Sequence, residues 1–481
     1  MESLSRLERI LWLCLLLVVP VSSSPALPFG EGTLARPLAI VPAVLLLLLA
    51  GFRILFLRQR PRLAGDGFVL LGLFTLYAVS SGLWVVMNLP DTVFKGQTPF
   101  DSLLRALLTW GAGLAFYIVA RLQVRTDEDV RISLRYLFIG MSVSIAFAGL
   151  QVVAIAQQGE VLRAVQAVTD LLAVHYDGLV SRAQGMTFEP SWLATQIIAL
   201  LTPTLIARAI SRQEFIGRGA GPGFVLRLAG GFAVAIAGML FSGSRFGLAA
   251  MIGMLMASAA AAALRGRLMA AATLFAVLLA GGGGLATMSL FGAGAGATYV
   301  TGPLAYLSGT ADLDQATGSD LATGVTDALA LAGRFAAGEA AGLTWLDHPV
   351  LGVSLGNNYR YFSEYAPDWA FTTQLFTNGA KEGLGWLDPN SPEKGNAKNM
   401  ILRLLSETGA IGLGLFALFF LRQMFKGPAR DGFHAYFRLA AALALGFSFL
   451  NQDSFVDAGL WIPIVLCFAT NRGNRDAVPA V

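Results

Sequence analysis

Along the chain, long uncharged apolar runs alternate with short connections that carry arginine and proline. A bilayer core of about 30 Å needs roughly 20 apolar residues per helix. Runs of that kind lie at 9–24, 37–57, 67–88, 101–120, 132–156, 188–207, 228–243, 246–264, 268–290, 400–421, 438–452 and 456–470. The pattern predicts an all-α polytopic membrane protein with about 12 transmembrane helices. The last two runs, and the pair flanking Ser242-Gly243-Ser244-Arg245, are the shortest. Composition agrees: 55% of the 481 residues are hydrophobic and only 13% are charged, whereas about a quarter of a soluble domain is charged. The net charge of +4 is scattered along connections, which excludes a nucleic-acid-binding surface. Cys14 and Cys467 both fall inside apolar runs, leaving neither a disulfide framework nor a zinc site.

Orientation follows from the basic residues, which collect in cytoplasmic loops. Arg53, Arg58, Arg60 and Arg62 follow the second run, Arg121, Arg125, Arg131 and Arg135 surround the connection after the fourth, and Arg208, Arg212, Arg218 and Arg227 follow the sixth. Arg265 and Arg267, then Arg422, Lys426, Arg430 and Arg438, continue the series. All lie after even-numbered runs, so both termini are expected in the cytoplasm. Arg6 and Arg9, the apolar stretch from Ile10 and Ser22-Ser23-Ser24 suit a cleaved signal peptide as well as a retained helix; the retained helix is the expectation.

Three regions result: helices 1–9 over 1–290, a large periplasmic loop over 291–399, and helices 10–12 with a tail over 400–481. In the loop, Val325, Leu329, Leu331 and Phe335 stand at helical spacing, which predicts an amphipathic helix lying on the membrane domain. Trp345, Trp369, Trp386, Tyr359, Tyr361 and Tyr365 are candidate sugar-stacking or interfacial aromatics. The orientation also leaves basic side chains on the outer side: Arg36, Lys95, Arg105, Arg163, Arg182, Arg245, Arg334, Arg360, Lys381, Lys394, Lys398 and Arg403. Most should pair with nearby carboxylates. Three or four should not, and a polyanion such as a pyrophosphate would compensate those.

Three stretches resemble the O-antigen ligase and Wzy-type polymerase superfamily. They are Phe241-Ser242-Gly243-Ser244-Arg245-Phe246-Gly247-Leu248, then His348-Pro349-Val350-Leu351-Gly352-Val353-Ser354-Leu355-Gly356-Asn357, and Lys398-Asn399 followed by Glu407-Thr408-Gly409-Ala410-Ile411-Gly412. Ser181-Arg182-Ala183-Gln184-Gly185 and Glu189-Pro190-Ser191-Trp192 are similar to the upstream outer loop of that family. One departure matters: Lys398 occupies the position where the ligases carry histidine. The resemblance implies a GT-C-type membrane fold and a metal-independent glycosyltransferase without a cofactor. Its substrate would be an undecaprenyl-pyrophosphate-linked oligosaccharide, and a chain-length regulator would be a further partner.

The residues suit such chemistry. A sugar carried on a pyrophosphate departs without protonation if the developing charge is stabilised. Arg182, Arg245 and Arg403 are the candidate cations, with Lys398, Asn399 and His348 as further substrate contacts. The acceptor hydroxyl needs a proton acceptor. Glu189 is the first candidate, and Glu407, one turn from Arg403 and able to pair with it, is the second. Asp312-Leu313-Asp314 imitates an acidic metal site, but no metal is expected. The missing histidine favours a polymerase that transfers the growing glycan to the next lipid-linked unit, with exopolysaccharide or O-antigen as product. A ligase acting on lipid A core is the alternative, and a lipid-linked oligosaccharide flippase is the rival from another class.

Overall fold

In the computed structural model the described residues are 2–27, 35–59, 66–173, 182–211, 222–278, 318–367, 386, 394–425 and 432–469. They are almost entirely helical, with no strand among them. Among the described residues, eight helices are long and apolar enough to cross a membrane: α3 (Asp66–Asn88), α4 (Pro99–Gln123), α5 (Asp127–Gln157), the continuous α7–α8 (Pro190–Ser211), α9 (Pro222–Ser242), α10 (Arg245–Leu264), α14 (Met400–Phe425) and α15 (Gly432–Asn451). Shorter apolar helices cover α2 (Ile40–Leu55), α11 (Leu268–Leu278) and part of α16 (Ala458–Ala469). The protein is thus an all-α, membrane-embedded chain. The first apolar run is shifted relative to expectation. Helix α1 spans Glu2–Val18, and Pro20 follows its end, where a helix cannot continue undisturbed. Ser22, Ser23 and Ser24 are buried in the connection beyond it.

Local sequence explains the boundaries. Thr98 and Asp101 form a capping box at the start of α4 with Pro99 in the first turn, and Thr126 and Asp129 do the same for α5. Helix α7–α8 is the central element: 89% of its most apolar window is buried, against 28–61% in the other spans. Its middle turn, Ile197–Leu201, is a π-helix. Pro203 lies just beyond it, and the Ile197 carbonyl accepts from both the backbone N–H of Thr202 and its hydroxyl, the latter at 3.1 Å. Two helices follow that the apolar runs did not include. One is α6 (Gly159–Leu172), which packs on α5 through Ala154 and Val165. The other is α12 (Gly318–Asp347), which contains the amphipathic helix expected at 324–343.

Of the apolar residues that define the expected face of α12, Phe335 is 68% exposed, and the side chains of Val325, Leu329 and Leu331 lie outside the described ones. Ala336, Ala337, Ala340 and Ala341 are buried against Phe362, Trp386, Ala397 and Leu402. Small side chains allow α12 to lie close to α14, and spacing of large residues could not reveal an alanine face.

Helix α14 is broken. Gly409 sits inside it with φ 65° and ψ −172°, and the gap is filled by the segment that follows α12. Val353 N–H donates to the Ser406 carbonyl at 2.9 Å, and Ala410 N–H donates to the Pro349 carbonyl at 2.8 Å. The Tyr77 hydroxyl of α3 lies 3.0 Å from both the Val350 and Thr408 carbonyls. A Cβ on Gly409 would meet the Val350 oxygen at 2.1 Å, and one on Gly352 would meet the Glu407 carbonyl carbon at 2.4 Å. Both glycines are required by contact as well as by their positive φ. Gly409→Ala is expected to cost about 1–3 kcal/mol from backbone strain, before any clash, and to lower the apparent Tm in detergent by several degrees. Gly446→Ala, where a Cβ meets nothing within 4 Å, should leave Tm unchanged or slightly raised.

Candidate functional site

At the end of the bundle where α4, α7, α14 and α16 begin and α15 ends lies a cavity of about 580 Å³. By the arginine count above, this is the end expected outside the cytoplasm. Its walls come from separate parts of the chain: Arg105 on α4, Glu189 and Trp192 at α7, Arg334 on α12, Lys394 and Lys398 before α14, Arg403 and Glu407 on α14, and Asp453 between α15 and α16.

Arg403 and Glu407 are one helical turn apart, and their side chains form an ion pair at 3.0 Å. Glu407 is buried and also accepts a hydrogen bond from the Gly356 N–H. Arg403 also donates to the Asp453 carbonyl and stacks over the Phe455 ring, 4.9 Å from its centroid. The helix break beside this pair brings the two motif stretches together, because the strand of backbone from Pro349 to Gly356 runs across it. Asn399 caps α14: its Oδ1 accepts from the Ile401 and Leu402 N–H groups at 2.9 and 3.1 Å. Lys398 lines the cavity in a left-handed conformation, φ 49°, with its backbone N–H on Asp453 Oδ2 at 3.2 Å. Lysine adopts that conformation at a cost, and the Asp453 carboxylate holds it there.

Glu189 precedes α7 and accepts from the Ser191 hydroxyl at 3.0 Å. The connection leading to it is tied down on several sides. Gln151 Oε1 of α5 accepts from the Gln184 and Gly185 N–H groups at 3.0 and 2.8 Å, Ala183 N–H bonds the Phe241 carbonyl, and Ser22 Oγ accepts from Phe188 N–H at 2.8 Å. Arg182 is exposed and does not line the cavity, but it acts electrostatically on Arg334, which does. Its stem lies over Gly243, where a Cβ would meet Arg182 Cδ at 3.1 Å. Ser244 caps α10 through the Gly247 N–H, so Arg245 begins α10 next to the Arg182 loop; the Arg245 side chain lies outside the described ones.

His348 is placed apart. Its ring meets Tyr361 edge to face at 5.5 Å, in a separate apolar hollow with Trp84, Leu89 and Val350. His175, Asp312, Asp314, Trp369 and Lys381 lie outside the described residues. Among the described residues, no group of three His, Cys, Asp or Glu side chains is arranged to hold a metal.

Arg105, Lys394, Arg334 and Asp453 line the wall without having been among the site residues expected from sequence. Arg334 donates to both the backbone carbonyl and the Oδ1 of Asn451, at 3.2 and 2.9 Å; burial pushes its basicity down, while Glu189 and Asp453 hold it up and Arg182 opposes them. Asp453 belongs to Asn451-Gln452-Asp453-Ser454, a polar run between two apolar helices. That run was the available signal.

No protein-family model matches the chain, and no characterised protein sequence matches it.

Removing one partner of a buried ion pair leaves a buried charge, at a cost of about 3–5 kcal/mol. Arg403→Gln and Glu407→Gln should each lower the apparent Tm strongly, and the double variant should lose clearly less than the two combined. Unfolding of all four proteins in one detergent measures this.

Proposed function

We propose that this chain is a metal-independent glycosyltransferase of the bacterial inner membrane, a Wzy-type polymerase. It transfers a growing glycan from one undecaprenyl-pyrophosphate carrier to the next lipid-linked repeat unit at the periplasmic face. The observation that carries this reading is convergence: Glu189, Lys398, Arg403 and Glu407, drawn from two distant stretches of sequence, line one cavity with Arg334 and Asp453. The volume lies in the range that holds a small ligand, and eight of the described helices are long and apolar enough to cross the bilayer in which a lipid carrier resides.

The proposed reaction balances without a metal. The acceptor hydroxyl gives its proton to a carboxylate as its oxygen bonds to the anomeric carbon of the donor. The bond from that carbon to the pyrophosphate oxygen breaks, and the pyrophosphate takes the electron pair and leaves as an anion. Cations around the cavity favour that separation of charge. Glu189 fits the proton acceptor better than Glu407, because Glu407 is occupied by Arg403 and the Gly356 N–H. Glu189 is only partly buried and bonds a single hydroxyl. Lys398 at the position of the ligase histidine favours the polymerase over the ligase.

The interrupted α14 is a feature that transporters also use, which gives the flippase reading one structural argument. Here, however, the gap is filled by pinned backbone rather than by an open ion site. The test is reconstitution with a synthetic lipid-pyrophosphate repeat unit. A ladder of longer glycans is expected, and Glu189→Gln should slow its appearance by about 10²–10⁴-fold at unchanged Tm. Absence of elongation, with lipid-linked sugar crossing the vesicle, would overturn the polymerase in favour of a flippase.

A further inference from the structure

The cations of the cavity are not alike. On one side Arg403 and Arg334 are compensated by Glu407, Glu189 and Asp453. On the other side Arg105 and Lys394 line the wall, with Arg360 close behind them. Among the described residues no carboxylate lies within 4 Å of these three. Asp101, one turn from Arg105, interacts with it, and its carboxylate already caps α4.

This corner is rigidly built. Phe94 and Tyr359 stack at 6.0 Å, and the Tyr359 hydroxyl meets Ser102 Oγ at 3.0 Å. Arg360 lies 5.8 Å from the Tyr359 ring centre and 6.0 Å from that of Phe94, with its guanidinium on the Thr92 and Gln97 carbonyls and on Asn357 Oδ1. These neutral partners hold the group without cancelling its charge. Lys394 Nζ stands 5.5 Å from the Tyr359 centroid. Its backbone is fixed by the next residue: a Cβ on Gly395 would meet Phe362 at 2.6 Å and Trp386 at 3.1 Å. Like charges held this close repel each other, and a polyphosphate dianion or trianion bound among them removes that repulsion.

We infer that Arg105 and Lys394, backed by Arg360, form a binding site for the diphosphate of a prenyl carrier. The site replaces Arg403, which is engaged by Glu407, as the principal diphosphate anchor. It rests on the cavity being a lipid-diphosphate site but not on glycosyl transfer occurring there.

A pH signature accompanies the geometry. Burial, then Arg105 and Arg360, push the Lys394 ammonium down to about 8. The groups facing it are Arg105 from α4 and Arg360 with Tyr359 from the short turn Asn358–Arg360. Lys394 is therefore charged below pH 8 and loses its charge above it. A phosphoester is already fully ionised in that range. Affinity for the anion should be highest below pH 8, fall about fivefold between pH 8 and 9 and approach a tenfold fall per pH unit beyond that, since binding then requires one proton to be taken up.

The test is binding of farnesyl diphosphate to the full chain in nanodiscs of neutral lipid, from pH 6.5 to 9.5. Wild type should bind with that pH dependence. Arg105→Gln and Lys394→Gln should each weaken binding by at least about tenfold at pH 7, and Lys394→Gln should also flatten the profile. Lys394→Arg should bind normally at pH 7 and stay strong above pH 8, which a merely structural lysine would not produce. Competition by phosphatidylglycerol as effective as that by farnesyl diphosphate would reassign the corner to phospholipid headgroups and overturn the inference. So would unchanged binding in both glutamine variants at wild-type Tm, or no binding by wild type. Elongation measured in parallel separates the two ideas. Normal elongation by the variants sinks the anchor and leaves the polymerase standing; wild-type binding without elongation sinks the polymerase and leaves the anchor.

Discussion

The architecture depends on a helix that is interrupted and repaired by another part of the chain. Unpaired backbone amides cost several kcal/mol in hydrocarbon, so the gap in α14 at Gly409 is tolerable only because backbone from Pro349 to Val353 and the Tyr77 hydroxyl take up the freed groups. This repair does more than close a gap. It lays the Gly352–Gly356 backbone directly against the turn that carries Glu407, adding a backbone hydrogen bond to a carboxylate that is also paired with Arg403. A polar cavity inside an apolar bundle thus begins with hydrogen-bond accounting, and the ionised side chains are supported by it.

The same accounting governs the rest of the cavity. The connections that bring Arg182 and Glu189 into place are held by Gln151, by the end of α9 and by Ser22. Asn399 fixes the first turn of α14, and Asp453 fixes Lys398 just ahead of it. Preorganisation of this kind matters for a reaction whose barrier lies in charge separation. Groups held in advance need not reorganise when the charge develops.

Much of this was legible along the chain, for identifiable reasons. The spans follow from apolar length, and eight of the twelve runs correspond to helices of spanning length. The three motif stretches were separable by their glycines, and two of them meet at Gly352 and Gly409, where only glycine fits. What stayed hidden was set by contact rather than composition. The packed face of α12 is alanine, so spacing of bulky residues pointed to Phe335 instead, which is exposed. Arg334 and Asp453 looked like ordinary loop charges until α12 and the end of α15 brought them to one wall. Asn399 and His348 were marked by their motifs, yet the side chain of one caps a helix and that of the other packs on Tyr361 outside the charged cavity.

The division of the cavity into a charge-balanced side and a cation-rich side is informative because neutralisation is the default for buried charge. Where carboxylates accompany every arginine, as around Arg334 and Arg403, a further anion gains little, since its attraction to the cation is offset by repulsion from the acid already there. Where cations are held by carbonyl oxygens and an aromatic face, as Arg360 is, the field is left open to an incoming anion. A transfer reaction benefits from such a split. In the proposed transfer the carboxylates suit the side where a hydroxyl must lose its proton, and Arg105, Lys394 and Arg360, with no carboxylate within 4 Å among the described residues, suit the side where a diphosphate must accept an electron pair. Placing both on one cavity lets a single bound substrate span the two, so that the field across the site runs in the direction in which the electrons must move.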